Sequence, residues 1–337
     1  MCAIGDTDYA LGGTLYVVAN MALGASIMVS NIYLPILAPP ERQDRMSTEG
    51  SAAGFLSGGV VLLVDLLVYA NREALGLTES QAVRVILLVT GMWWLVFSIW
   101  AVWLLRGYGS PPTATATVDT APGRVGTYRA LISTVRQMKN LPGVVWFLAA
   151  FLLYNNGIQS VTSLVGTFAV EEIGLAQGDL VVAVLVVQFV AVVGAVVAGR
   201  VAERYDGRTV LFGSVVVWII TVAAGALVPH SSFGSFMALC IGAGLVVGGS
   251  YALSRSVFVR MVPSNRLAEY FGIFETVNRC LGFLGPAAFG FVLQWSESYR
   301  LAWLSILVFF LAGAVTLVLG AKAHLARERC QEETVHG

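Results

Sequence analysis

Nine stretches of about 20 mostly apolar residues dominate this chain, at 14–37, 50–70, 82–106, 142–170, 179–200, 209–229, 234–253, 270–294 and 300–321. A stretch of that length is what a helix needs to cross the hydrocarbon of a bilayer. Within hydrocarbon the backbone must satisfy its own hydrogen bonds, so such segments are helices. Barrel strands would instead alternate apolar and polar residues. The first stretch lacks the basic flank and cleavage site of a signal peptide. Charged residues make up 12% of the chain and hydrophobic ones 57%. Soluble domains carry about 25% charged residues. A water-soluble globule, a disordered chain and a nucleic-acid binder are therefore excluded. The fold class is an all-α, multi-pass membrane protein.

Orientation follows from arginine and lysine, which gather on the cytoplasmic side. Alternate loops and the C-terminal tail hold sixteen of the twenty, including Arg42, Arg45, Arg204, Arg208, Arg255 and Arg260. The opposite loops hold only Arg72, Arg84 and Arg300, and Arg279 lies inside a span. This places the C-terminus in the cytoplasm and the N-terminus outside. The cell (plasma) membrane is the expected location.

Four regions follow: three helices at 1–106, a cytoplasmic linker at 107–141, six helices at 142–321 and a cytoplasmic tail at 322–337. Residues 107–123 are rich in Thr, Pro, Ala and Gly, a flexible composition. Residues 126–140 read as an amphipathic helix on the membrane surface.

Polar groups inside a membrane are costly, so their placement is informative. Asn20 and Asn31 share one face of span one, Asp65 lies in span two, and Gln188 in span five. Span four carries Asn155, Asn156, Gln159, Ser160, Thr162 and Ser163, and span eight carries Glu275, Asn278 and Arg279. Spans three, six and nine lack buried charge or amide, a period of three that nested three-helix repeats produce.

Each candidate has two readings. The span-four stripe is either interhelical hydrogen bonding or the wall of a watery cavity. Glu275 and Arg279, four apart on one helix face, are either a self-neutralising structural pair or a gate or proton-coupling pair. Asp65 either reaches the interface or holds a proton or cation. Gln188 reads as interhelical glue, and Ala191, Ala195 and Gly199 as a small-residue packing ridge. Cys2, Cys240, Cys280 and Cys330 show no C-x-x-C spacing, so neither a disulfide framework nor a metal site is expected. No catalytic motif occurs, and an enzyme is not expected.

The loop Gly199-Arg200-Val201-Ala202-Glu203-Arg204-Tyr205-Asp206-Gly207-Arg208 resembles the second-half signature loop of the major facilitator superfamily. Three further stretches sharpen the likeness. One is Tyr33-Leu34-Pro35 with Ser47-Thr48-Glu49-Gly50 and the Gly-rich run 54–59; another is 151–159. The third runs from Gly248 through Tyr251 and Arg255 to Glu275, Arg279 and Leu284-Gly285-Pro286. Together they resemble the vacuole effluxer-like branch, whose best-known eukaryotic members export amino acids during autophagy. Three positions depart from that pattern: Asn156 stands for an acid, Tyr251 for Gln and Arg279 for Lys.

The resemblance implies a transporter working by alternating access, with no cofactor. Its partners are the bilayer, a small polar solute such as an amino acid, and a proton or cation as co-substrate. Asn31, Asn155, Asn156, Gln159 and Tyr251 would contact solute. Glu275, Arg279, Asp65 and Arg255 would gate or couple. Gly199, Arg204, Asp206, Gly207 and Arg208 would latch the cytoplasmic side. By motif order span one matches the superfamily's fourth helix, so three helices would be missing relative to twelve. The alternative is a truncated, transport-inactive membrane protein. Oligomeric state is open.

Overall fold

The structure, a computed structural model, describes residues 9–108, 136, 138, 141–263 and 266–336, with side chains from 10 to 321 within those ranges. The expected surface helix at 126–140 lies almost wholly outside the described residues, as does the start of the chain.

Among the described residues, ten α-helices account for the nine spans. They are α1 (Tyr9–Leu37), α2 (Gln43–Ala70), α3 (Glu79–Leu105), α4 (Pro142–Glu171), α5 (Gln177–Tyr205), α6 (Gly207–Gly225), α7 (Phe233–Met261), α8 (Leu267–Leu281), α9 (Leu284–Ser296) and α10 (Tyr299–His336). Local chemistry sets several ends. Thr78 caps α3 with a reciprocal pair of bonds: its hydroxyl accepts from the Gln81 N–H at 3.3 Å and the Gln81 side chain accepts from its own N–H at 2.9 Å. Pro142 opens α4, where a missing N–H costs nothing.

Two features differ from the sequence reading. The helices run on past the apolar stretches at their cytoplasmic ends, so Arg204, Arg255 and Arg260 are helical rather than in loops. Apolar length measures the hydrocarbon crossing, not the helix. Span eight, expected as one helix, is two. Gly282 and Phe283 interrupt it, and Pro286 in the first turn of α9 has no N–H to carry the ladder across.

Packing joins α4 to α10, α5 to α7 and α6 to both α7 and α10. Small residues let α5 and α7 touch: Gly248 lies against Ala191 and Ala195, and Gly249 against Ala198. Gly199, at the end of that ridge, instead faces Thr48 of α2. Gln188 lies against Gly58 of α2. An aromatic cluster fixes α8 to α4 and α7. Phe274 stacks on Phe151 at 4.1 Å and lies 4.7 Å from Phe258, which meets Phe271 edge-on at 5.2 Å. The first three helices dock through α2 on α5 and α7, and through α1 on α8. Helix α3 packs chiefly on α2 and buries only Ala82. Its Trp94, Trp100 and Trp103 are exposed.

Candidate functional site

Polar side chains cross the boundary between α1–α2 and the later helices in three layers. The layer at the cytoplasmic ends joins α2, α6 and α7. Arg260 of α7 pairs with Asp44 of α2 at 2.8 Å and with Asp206 at 3.8 Å. Ser256 donates to the same Asp44 carboxylate at 2.5 Å. Gly207 sits against this pair: a Cβ there would lie 2.7 Å from Asp44 Oδ2 and 2.9 Å from Arg260 Nη2. Asp206 holds φ 66° and ψ 139°, a conformation that residues with a side chain seldom adopt.

One turn deeper, Arg255 donates to the Ser47 hydroxyl at 2.8 Å, to the Ser47 carbonyl at 3.1 Å and to Asn31 Oδ1 at 3.2 Å. Ser47 in turn donates to the Ala252 carbonyl at 2.7 Å. Arg255 has no acidic partner among the described residues, and the buried Asn31 Nδ2 has no acceptor.

The third layer lies on α4, α7 and α8. Asn155 donates to Asn278 at 2.6 Å. Glu275 Oε1 accepts from Arg279 Nε at 3.0 Å, as the i, i+4 spacing allows. Arg279 reaches across to α1, lying over Gly24 and donating to the Asn20 carbonyl at 3.4 Å. The other carboxylate oxygen of Glu275 is buried with no hydrogen-bond partner. Tyr251, one turn from Arg255, turns its hydroxyl toward Glu275.

The span-four stripe divides. Asn155 faces α8. Asn156 and Ser160 are buried against Gly285 of α9, with Asn156 Nδ2 bonded to the Leu152 carbonyl at 2.8 Å. Gln159, Thr162, Ser163 and Thr167 are exposed. Asp65 stands apart from Glu275 and Arg279. It accepts from Thr90 at 3.2 Å, keeps its other oxygen unpartnered, and lines a hollow of about 770 Å³ between α1, α2 and α3. In the signature loop, Asp206 and Gly207 touch the Asp44–Arg260 pair, whereas Gly199 meets Thr48 and Arg45 of α2. Arg204 and Arg208 are exposed and make no ion pair among the described residues.

Asp44 and Arg260 do not stand out in the sequence, because both lie where the apolar pattern reads as loop. Their sign was available: one acid and one base at the cytoplasmic ends of two long helices. Without the helix extensions nothing brings them together.

The family described as "Vacuole effluxer Atg22 like" matches residues 38–329. An uncharacterized MFS-type transporter of Bacillus subtilis, YxiO, is 23% identical over 90% of this chain and 69% of its own length. Autophagy-related protein 22 of Cryptococcus neoformans is 25% identical over 99% of this chain and 61% of its own length. The protein of that name in Saccharomyces cerevisiae is 24% identical over 88% of this chain and 64% of its own length. The chain thus spans about two thirds of these relatives or less. A bacterial homologue of the iron transporter ferroportin, solved in an outward-facing state, aligns at TM-score 0.47 and 11% identity, covering 89% of this chain and 90% of that one. The family match corrects one expectation. A plasma-membrane location is overturned by a family described by the vacuole; hydropathy and charge orient a chain to the cytoplasm but do not distinguish one membrane from another. Integral, multi-pass and built of apolar helices, the chain belongs to the vacuole effluxer Atg22-like family of transporters within the major facilitator superfamily.

Proposed function

We propose that the chain moves a small zwitterionic solute, an amino acid, toward the cytoplasm by alternating access. One observation carries this reading. Glu275 keeps a buried carboxylate oxygen without a partner, while Arg255, across Tyr251, is a cation with no acid beside it among the described residues. A cation without an acid, and a carboxylate that Arg279 engages through one oxygen only, are costly in a low-dielectric site, and an ammonium and a carboxylate on one small molecule would satisfy both. Asn31 and Asn155 would add neutral hydrogen bonds.

The layering supports a direction. The Asp44–Arg260 layer closes the cytoplasmic end, whereas Gln159, Thr162 and Ser163 in the outer half of α4 are exposed. Solute would enter from the non-cytoplasmic side, as an effluxer of an internal compartment requires. Glu275 and Arg279 would couple, because solute ammonium and the Arg279 guanidinium compete for one carboxylate.

The test is counterflow of a labelled amino-acid mixture into proteoliposomes holding the chain. Accumulation lost in Glu275→Gln and in Arg255→Gln, with folding retained, supports the proposal. Unchanged accumulation in both overturns it. A second reading, a transport-inactive protein, is favoured by the open hollow at Asp65, which also holds the polar Ser57 of α2 and Thr90 of α3. Proteoliposomes that stay inactive with the chain alone, and gain counterflow only when further helices are supplied, would support that reading.

A further inference from the structure

A crevice of about 230 Å³ opens at the side of the helix bundle, at the end that the charge distribution places in the cytoplasm. Its floor is apolar: Phe147 of α4, Leu211 of α6, Met261 of α7 and Leu317 of α10. Phe212 and Val318 on its outer walls are exposed, at 37% and 39%. Its polar lining includes Arg208 and Thr209 in the first turn of α6. Arg208 makes no hydrogen bond or ion pair among the described residues. Nearby acids are already engaged: Asp206 faces Arg260 and Glu203 faces Arg45 at 3.4 Å. The crevice is smaller than the roughly 300–1,000 Å³ of small-molecule pockets, and it is open along its side.

An apolar slot opening into hydrocarbon takes an acyl chain, and a guanidinium at its interfacial mouth matches a phosphate, which it grips in a planar fork. We propose that this crevice holds one acyl chain and the phosphate headgroup of an anionic phospholipid of the cytoplasmic leaflet, with Arg208 as the headgroup ligand. Basic pockets between membrane helices on that face select anionic headgroups by charge. Because α4, α6, α7 and α10 all line the crevice, a seated lipid would brace the end of the bundle where the Asp44–Arg260 latch closes.

Native mass spectrometry of the full chain, exchanged with equal amounts of phosphatidylserine and phosphatidylcholine, tests this. The chain should retain phosphatidylserine preferentially. Arg208→Gln should cut that preference roughly fivefold, the effect of one cation at a membrane surface, and Arg208→Lys should keep most of it. Leu317→Trp, which fills the floor, should lower retention of both lipids. If that variant unfolds, Arg208→Gln and Arg208→Lys still decide the matter. Arg200→Gln, an exposed cation that does not line the crevice, should retain the preference. An unchanged preference in Arg208→Gln, or an equal loss in Arg200→Gln, overturns the proposal. So does displacement by millimolar inorganic phosphate, which would make the mouth a site for a soluble anion.

Discussion

Asp44 at the start of α2 and Arg260 near the end of α7 form an ion pair at 2.8 Å across the boundary between the first three helices and the later ones. Asp44 is nearly buried, and its Oδ1 also accepts from Ser256. Removing Arg260 therefore leaves a carboxylate in a poorly hydrated place with one hydroxyl as its donor. Of the inter-helix ion pairs it has the most buried acid, at 9% side-chain exposure.

Asp44→Asn and Arg260→Gln should each cost about 1–3 kcal/mol, the penalty for breaking a charge-assisted bond in a partly buried setting. Combined, they should cost less than the sum of the two singles. Thermal unfolding in detergent measures the cycle. Hydrogen–deuterium exchange should rise over 43–48 and 252–261 and stay unchanged over 302–311. Additive losses with no local change in exchange would mean that the pair does not close this end.

Glu275 and Arg279 call for a different pair of measurements. Each single change to Gln should lower the yield of folded protein, Glu275→Gln because Arg279 loses its counter-charge, and Arg279→Gln because a buried carboxylate is stranded at roughly 3–5 kcal/mol. The double change should recover much of that yield. Counterflow should not return with it if the pair couples solute movement to charge exchange. Yield and counterflow returning together would reduce the pair to a structural element.

Much of the architecture was legible because hydropathy acts over whole segments. Nine apolar stretches are enough to fix nine crossings, and the i, i+4 spacing of Glu275 and Arg279 places them on one face. The break in span eight was not legible as a break, since Gly282 and Pro286 are tolerated inside membrane helices when neighbours satisfy the freed carbonyls. The polar stripe of α4 was visible as a stripe, yet its division was not. A 100° step per residue separates Asn155 from Asn156, and only the placement of α8 and α9 decides that one meets Asn278 and the other Gly285. The Asp44–Arg260 latch depends on helix extensions beyond the hydrocarbon, where hydropathy carries no information.

Asp206 stores strain at that latch. Its φ of 66° and ψ of 139° cost of the order of 1–3 kcal/mol for a residue with a Cβ, whereas its pairing with Arg260 at 3.8 Å is long and its side chain is 62% exposed. Exposed pairs contribute about 0–1 kcal/mol. Relief of strain therefore outweighs loss of the pair, and Asp206→Gly should melt at or above the wild-type temperature. Asp206→Ala keeps the strain and loses the pair, so it should melt lower. Identical melting of the two variants would show that the backbone at 206 relaxes without cost.

The exposed and buried members of the α4 stripe can be told apart chemically. With Cys2, Cys240, Cys280 and Cys330 replaced, Gln159→Cys should react rapidly with a membrane-impermeant thiol reagent applied from the non-cytoplasmic side, because Gln159 is exposed in the outer half of the helix. Asn156→Cys should react slowly, since Asn156 is 2% exposed and packs against α9. A lipid-facing control, Val308→Cys on α10, is 64% exposed yet should also react slowly, because a thiol in hydrocarbon ionises poorly and the reagent does not enter. The three rates separate exposure to water from exposure to lipid, which solvent-accessible area alone does not. A rate at Gln159 no faster than at Val308 would return the outer half of α4 to lipid and remove the entry path on which inward movement of solute depends. A fast rate that slows when an amino acid is added would tie the open face to the layer holding Asn155 and Glu275, since closing over solute must shield Gln159 before the Asp44–Arg260 latch can open.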